Sequence, residues 1–164
     1  MAPDNSDLRS SIETSGDTSY ITLEGVINER TNLEHVFDGV RGGKIIINLS
    51  KVTRINSCGV REWINATREL SKNFEIEFVE CSRAIVDQLN MIKNFYSSGK
   101  VVSFHAGYHC EACEKDFDML LEIEKHFPGT SGGFEAPEMD CPQCGAKMCF
   151  CEDEEEYFSF IYEP

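Results

Sequence analysis

The stretch KIIINLSKVTRINSCGVREWINATREL, residues 44–70, constrains the fold of this chain more than any other. Ile45, Ile46, Ile47 and Leu49 read as a β-strand, and three consecutive isoleucines predict a strand covered on both faces, as at the centre of an α/β sheet. Beyond it, Val60, Trp63, Ile64, Thr67 and Leu70 recur at helical spacing and mark one apolar face. Between strand and helix lies the corner Asn56-Ser57-Cys58-Gly59. A corner this short exposes the first N–H groups of the helix, which together with the helix dipole favour an anion. Asn56 is suited to cap the helix through its side-chain oxygen. Ser57 then holds a hydroxyl outward at the first turn, and Gly59 leaves room for another backbone. A phosphate on Ser57 would add about −1.5 to −2 charges, tolerated at a helix N-terminus but repulsive across a docked protein surface. The same pair also serves as a plain helix cap. Cys58, near a helix N-terminus, is placed where a thiol can become reactive, but it reads first, like Cys81, as a small buried packing residue.

The flanking sequence supplies matching elements. Residues 1–16, rich in Ser, Thr and Asp, read as a disordered tail without the apolar core of a secretory signal. SYITLEG alternates as a strand, and Leu33, Val36, Phe37 and Val40 follow the spacing of a short helix stopped by RGG. FEIEFVE is a further strand. Ser82 is placed to cap a third helix carrying Ile85, Leu89 and Ile92, and GKVVSF resumes a strand. The order β-α-β-α-β-α-β over residues 17–104 predicts a mixed or parallel sheet with helices packed on one face.

That segment resembles a STAS domain, the fold of anti-sigma-factor antagonists. The resemblance is carried by LEGVINERTNLEHVF, by GGKIIINLSKVTRINSCGVREWINATREL and by FEIEFVECSRAIVDQLNM. Members of that family carry Asp-Ser-Ser-Gly-Leu at the mouth of the helix, and a partner serine kinase, itself the anti-sigma factor, phosphorylates the serine after the Asp. The resemblance implies that Ser57 is the phosphoacceptor, flanked by Asn56, Cys58 and Gly59, and that the partner is such a kinase or another STAS protein. Asn56 stands here for the family's Asp and Cys58 for its second serine. The family's final helix is missing after Phe104, where the cysteine-rich part begins.

Residues 105–164 read as a small acidic module. Six of the eight cysteines fall there, at 110, 113, 141, 144, 149 and 151. Without a signal peptide, close cysteine pairs read as metal ligands rather than disulfides. Cys110-x2-Cys113 and Cys141-x2-Cys144 form two knuckles, each able to bring two thiolates to one ion, and four thiolates satisfy zinc tetrahedrally. The CPQCG knuckle resembles those of zinc ribbons and rubredoxins. A closed four-cysteine site leaves no open position, so structural Zn2+ is the expected cofactor. The same four sulfurs also suit iron or a thiol–disulfide cycle, which leaves a redox or electron-transfer protein as the alternative reading. Cys149 and Cys151, at i and i+2, fall on one side of an extended segment, where they offer a substitute knuckle ligand or a weak second metal site. They read first as packing residues or free thiols, with His105, His109 and His126 near enough to compete as ligands. Phe117, Leu120, Ile123 and Phe127 predict an amphipathic helix between the knuckles, TSGGFEAPEMD a flexible connector, and the aromatic C-terminus a strand-like end.

Charge narrows the function. Residues 101–164 hold three basic and fifteen acidic side chains, a surface that repels nucleic-acid phosphates. No run approaches the roughly 18 to 20 apolar residues of a membrane span. Neither a catalytic Ser-His-Asp order nor a phosphate-binding loop is apparent. The expectation is a cytoplasmic, non-enzymatic signalling phosphoprotein: a STAS-like domain plus a zinc module, binding proteins rather than nucleic acid or membrane.

Overall fold

The structure, a computed structural model, describes residues 8–129 and 134–162. Strand alternation organises its first sheet. Ile21 and Leu23 of β2 (Thr18–Ile27), Ile45, Ile47 and Leu49 of β3 (Lys44–Ile55), and Ile76 and Phe78 of β4 (Glu75–Val79) turn to one face and are all buried. Burial of each such side chain contributes about 1.5–3 kcal/mol. On the opposite face Tyr20 and Glu24 are exposed and Ile46 is half-buried. The triple isoleucine is therefore a one-sided strand, not the doubly covered one its composition predicts: the period of two puts only its middle member outward.

The strand order is β1-β2-β3-β4-β5, with β1 (Arg9–Ser15) antiparallel and β5 (Lys100–Val101) parallel to its neighbour. β2 to β4 run parallel, joined by α1 (Leu33–Phe37) and α2 (Ser57–Leu70), so the sheet is mixed. The expected disordered tail is corrected by β1. A two-residue loop with Gly16 at φ 59° turns the chain back, and Arg9 to Ser15 pair in register with Glu24 to Thr18. Ile12 is the one apolar side chain of β1 and packs against the core, which is why composition conceals the strand. Residues 1–7 of the expected tail lie outside the described residues.

α2 supplies the centre of the core. Trp63 is fully buried, stacks on Phe95 at 5.8 Å, meets Phe78 at 5.7 Å, and donates its indole N–H to the Phe95 carbonyl at 3.0 Å. Thr67 is buried one turn on, its hydroxyl donating to the Trp63 carbonyl at 2.8 Å. α3 (Arg83–Met91) buries Ile85, Val86 and Leu89. Ser82 precedes it without the expected capping bond: its hydroxyl is buried and unpaired.

The second sheet, ordered β7-β6-β8, is antiparallel. Its central strand β6 (Ser103–Cys110) crosses the boundary expected between Phe104 and His105. Cys81 and Phe104 form a parallel bridge beside the end of β4, so β6 leaves the first sheet and ends at the first cysteine of the knuckles. The helix expected over Phe117 to Phe127 is instead strand β7 (Lys115–Glu122) followed by the short α4 (Ile123–His126). Phe117, Met119 and Leu121 point inward while Asp116, Asp118 and Leu120 face out, a period of two that pairing with β6 selects.

The C-terminus also departs from its reading. After β8 (Cys149–Phe150), Asp153 caps α5 (Glu154–Tyr157) by accepting the Glu156 N–H at 2.9 Å, and α6 (Ser159–Tyr162) follows. Acidic residues suit a first helical turn, so the glutamate run favours a helix over a strand. Tyr157, Phe158 and Phe160 pack on Phe104, while Asn90 of α3 bonds the Tyr157 carbonyl and the Phe160 N–H. One continuous core thus spans both sheets. Among the described residues, no helix is long and apolar enough to cross a membrane.

Candidate functional site

The β3–α2 corner is built by three contacts. Asn56 has extended backbone, and its side-chain oxygen accepts the Gly59 N–H at 2.8 Å, closing the helix mouth. Its amide donates to a Glu29 carboxylate oxygen at 2.7 Å, tying the corner to the loop after β2. That bond, first among its causes, holds the Glu29 carboxyl below its ordinary value. The Asn56 N–H reaches the Ile27 carbonyl at 3.2 Å, and a Cβ on Gly59 would stand 2.2 Å from the same oxygen. Gly59 is therefore required by the close approach of α2 to the end of β2.

With the backbone so fixed, Asn56, Ser57 and Cys58 are all exposed. Ser57 is the first residue of α2 and carries its hydroxyl to solvent. Cys58 is corrected from a packing residue to an exposed thiol. Cys81 is the buried one, and burial pushes its thiol up to about 12. From Glu29 an open groove of about 810 Å³ runs between α1 and α2, with Leu33, Phe37 and Leu70 among its lining and Glu34, Glu62 and Glu69 along it. Glu29 escapes a sequence reading because its partner Asn56 is 27 residues away and no local pattern joins them.

The knuckles converge at the far end of β6. Cys110 ends that strand, and Cys113 lies in the turn to β7, where Glu114 adopts φ 53°. Cys141 sits beside the Asp140–Lys147 bridge, and the turn through Cys144 closes at Gly145, φ 76°. The four Sγ atoms lie within 4.8 Å of one another. Cys110 and Cys144 sulfurs are 3.6 Å apart and those of Cys113 and Cys141 3.9 Å apart. Four thiolates held tetrahedrally at about 2.3 Å from one ion are about 3.8 Å apart, so the set fits a metal ion.

The surrounding backbone favours thiolate. The Cys113 N–H points at the Cys110 sulfur and the Gln143 N–H at the Cys141 sulfur, both at 3.4 Å. Burial pushes the Cys141 thiol up, but the N–H groups of Cys144 and Gln143, together with the Cys110 and Cys144 thiols, outweigh it and bring it down to about 7. Crowding by Cys144, then burial, pushes Cys113 up to about 12. Four sulfurs so close cannot all ionise unless a cation joins them. Lys115 bridges the knuckles by donating to the Gln143 side-chain oxygen at 3.0 Å.

The three nearby histidines stay outside this group. His126 accepts the Glu122 N–H, His109 is held by Asp116, and His105 lies 3.3 Å from an Asp118 oxygen without hydrogen-bond alignment. Cys149 and Cys151 are exposed free thiols. Fold and site together define a mixed α/β chain carrying a four-cysteine group that can hold a metal ion. No family model and no curated protein matches the sequence.

Proposed function

We propose that this chain is a non-enzymatic regulatory protein of STAS-like type, which binds partner proteins through the face around Ser57 and is switched by phosphorylation of that serine. The observation that carries the reading is the exposed Ser57 hydroxyl at the mouth of a helix whose cap is already supplied by Asn56. Because Asn56 closes the helix, Ser57 is free of a structural duty, and a phosphate there meets the positive end of the α2 dipole. The same phosphate would bring about −1.5 to −2 charges beside the Glu29 carboxylate, altering the face a partner meets. The partner chemistry implied by the resemblance is a serine kinase of the anti-sigma-factor type or a second STAS domain.

The four-cysteine group acts structurally in this account. It holds Zn2+ in a closed set of Cys110, Cys113, Cys141 and Cys144 and fixes two turns that have little core of their own. The chain's own contribution is to aim N–H groups at the sulfurs and to hold the two knuckles together through Lys115 and Gln143. Peptide mass spectrometry of the chain isolated from its native cells tests the switch. Phosphate mapped to Ser57 is the expected result, and an unmodified Ser57 in cells where a co-purifying kinase is active would overturn it.

A further inference from the structure

The β7-β6-β8 sheet has a second face that the four-cysteine group does not use. Phe104, Ala106 and Tyr108 of β6 turn into the core, which leaves His105, Gly107 and His109 on the other side. Pairing sets Asp118 of β7 opposite Gly107 and Asp116 opposite His109. On the other edge of β6, Cys149 of β8 stands opposite His109. The Cys151 N–H donates to the Gly107 carbonyl at 3.0 Å, and a Cβ placed on Gly107 would lie 3.8 Å from the Cys151 Cβ. Two rows therefore cross this face: Asp116, His109, Cys149 and, beside it, Asp118, Gly107, Cys151.

The donor chemistry of these rows is specific. His109 Nδ1 and an Asp116 oxygen are 2.6 Å apart, a carboxylate–histidine pair that fixes the ring and leaves Nε2 as the free nitrogen. Cys149 and Cys151, two residues apart on an extended segment, present their thiols on the same side. Both are exposed, and the Cys151 sulfur lies 3.9 Å from the Cys149 carbonyl, leaning along the strand toward the His109 row. Arg83 reaches over Gly107 but is paired with Glu152. With Asp116 and Asp118 at hand, the face carries a net negative charge.

We propose that Cys149, Cys151 and His109 form a second site for a thiophilic divalent cation, with Asp118 or water at the fourth position. Among the described residues only the four knuckle cysteines already bring their ligand atoms together, so Cys149, Cys151 and His109, which share this face, would close on an ion by side-chain rotation. A three-ligand site at the surface exchanges its ion, whereas a closed four-cysteine site retains it. The two sites lie on one strand, since Cys110 follows His109, yet they share no ligand.

Zinc titration of the full chain, counted by native mass spectrometry, tests this. The parent binds two zinc ions, the second at least tenfold more weakly than the first. Cys149→Ser/Cys151→Ser keeps the tight ion and loses the second, while Cys141→Ser loses the tight one, so failure of the two sites is distinguishable. Asp116→Asn weakens the second ion by about 10- to 100-fold without altering the first, as expected when the orienting carboxylate of a metal-bound histidine is removed. A parent that stops at one ion overturns the proposal, as does a serine double variant that still binds two.

Discussion

Gly59 lies so close to the end of β2 that a Cβ there would stand 2.2 Å from the Ile27 carbonyl oxygen and 3.1 Å from the Asn28 nitrogen. The helix that presents Ser57 is thus held by backbone contact two residues away. Both neighbouring atoms belong to main chain, so neither can swing aside. Gly59→Ala is expected to cost about 1–3 kcal/mol, the range for forced overpacking. Cys58→Ala, at an exposed position of the same turn, stays within about 0.5 kcal/mol of the parent. Urea unfolding of the two variants checks the contrast, and equal stabilities would contradict it.

Phe104 joins the two sheets. Its ring meets Phe127, Tyr157, Phe158 and Phe160 at 5.1 to 6.3 Å. Phe104→Ala is expected to destabilise the chain by about 3–5 kcal/mol. The parent should unfold in one transition, with probes in both sheets moving together. A chain truncated after Phe104 leaves that ring without its aromatic partners and is expected to aggregate. Two separate transitions in the parent, or a stable truncated chain, would contradict a shared core.

The elements of the first sheet are legible because their signals are local. Alternation in β2 and β4, helical spacing in α2 and the Asn56 cap all lie within a few residues of one another. The four cysteines are legible for the same reason, since each knuckle fixes its own pair. What escaped depends on pairing with a neighbouring strand, which the pattern of one segment alone does not carry. β1 carries a single inward apolar residue, Ile12, and exists because β2 offers it a ladder. Phe117, Leu120, Ile123 and Phe127 fit a helical face, yet β6 pairs with this segment as a strand and turns Leu120 outward. The expected boundary at Phe104 failed because a change of composition there does not interrupt the backbone of β6. TSGGFEAPEMD, expected as a connector, falls partly outside the described residues; from Phe134 to Met139 it has no regular secondary structure.

Metal binding should weaken in acid. A cation displaces protons from the four thiols, so affinity rises with pH and falls as pH drops. Cys141 is held at about 7, below its ordinary value, so its contribution persists above that pH and is lost as pH falls through it. Cys113, pushed up to about 12, yields its proton only in exchange for the ion. Zinc retention against a chromophoric chelator is expected to weaken by roughly tenfold or more per pH unit below 7. Retention independent of pH between 5 and 8 would contradict thiolate ligation.

Removal of the metal by a chelator should loosen the knuckles before the core. The turns at Cys113 and Cys144 are close to solvent, while Trp63 and Phe78 are buried in the first sheet. Amide exchange is expected to quicken first around 110–115 and 139–148 and last in β3. The zinc-loaded chain should be colourless, because iron held by four thiolates absorbs visible light and zinc does not. A red protein from native cells would favour the electron-transfer alternative.

Capture of partners by three immobilised chains tests the regulatory reading most directly. The parent, Ser57→Ala and Ser57→Asp are presented with the same extract of native cells, and the protein retained by the parent is quantified on all three. Parent and Ser57→Ala should hold equal amounts, and Ser57→Asp at least tenfold less, about 1.4 kcal/mol of lost affinity. Equal retention by Ser57→Asp, with its fold intact, would contradict a charge switch at the mouth of α2.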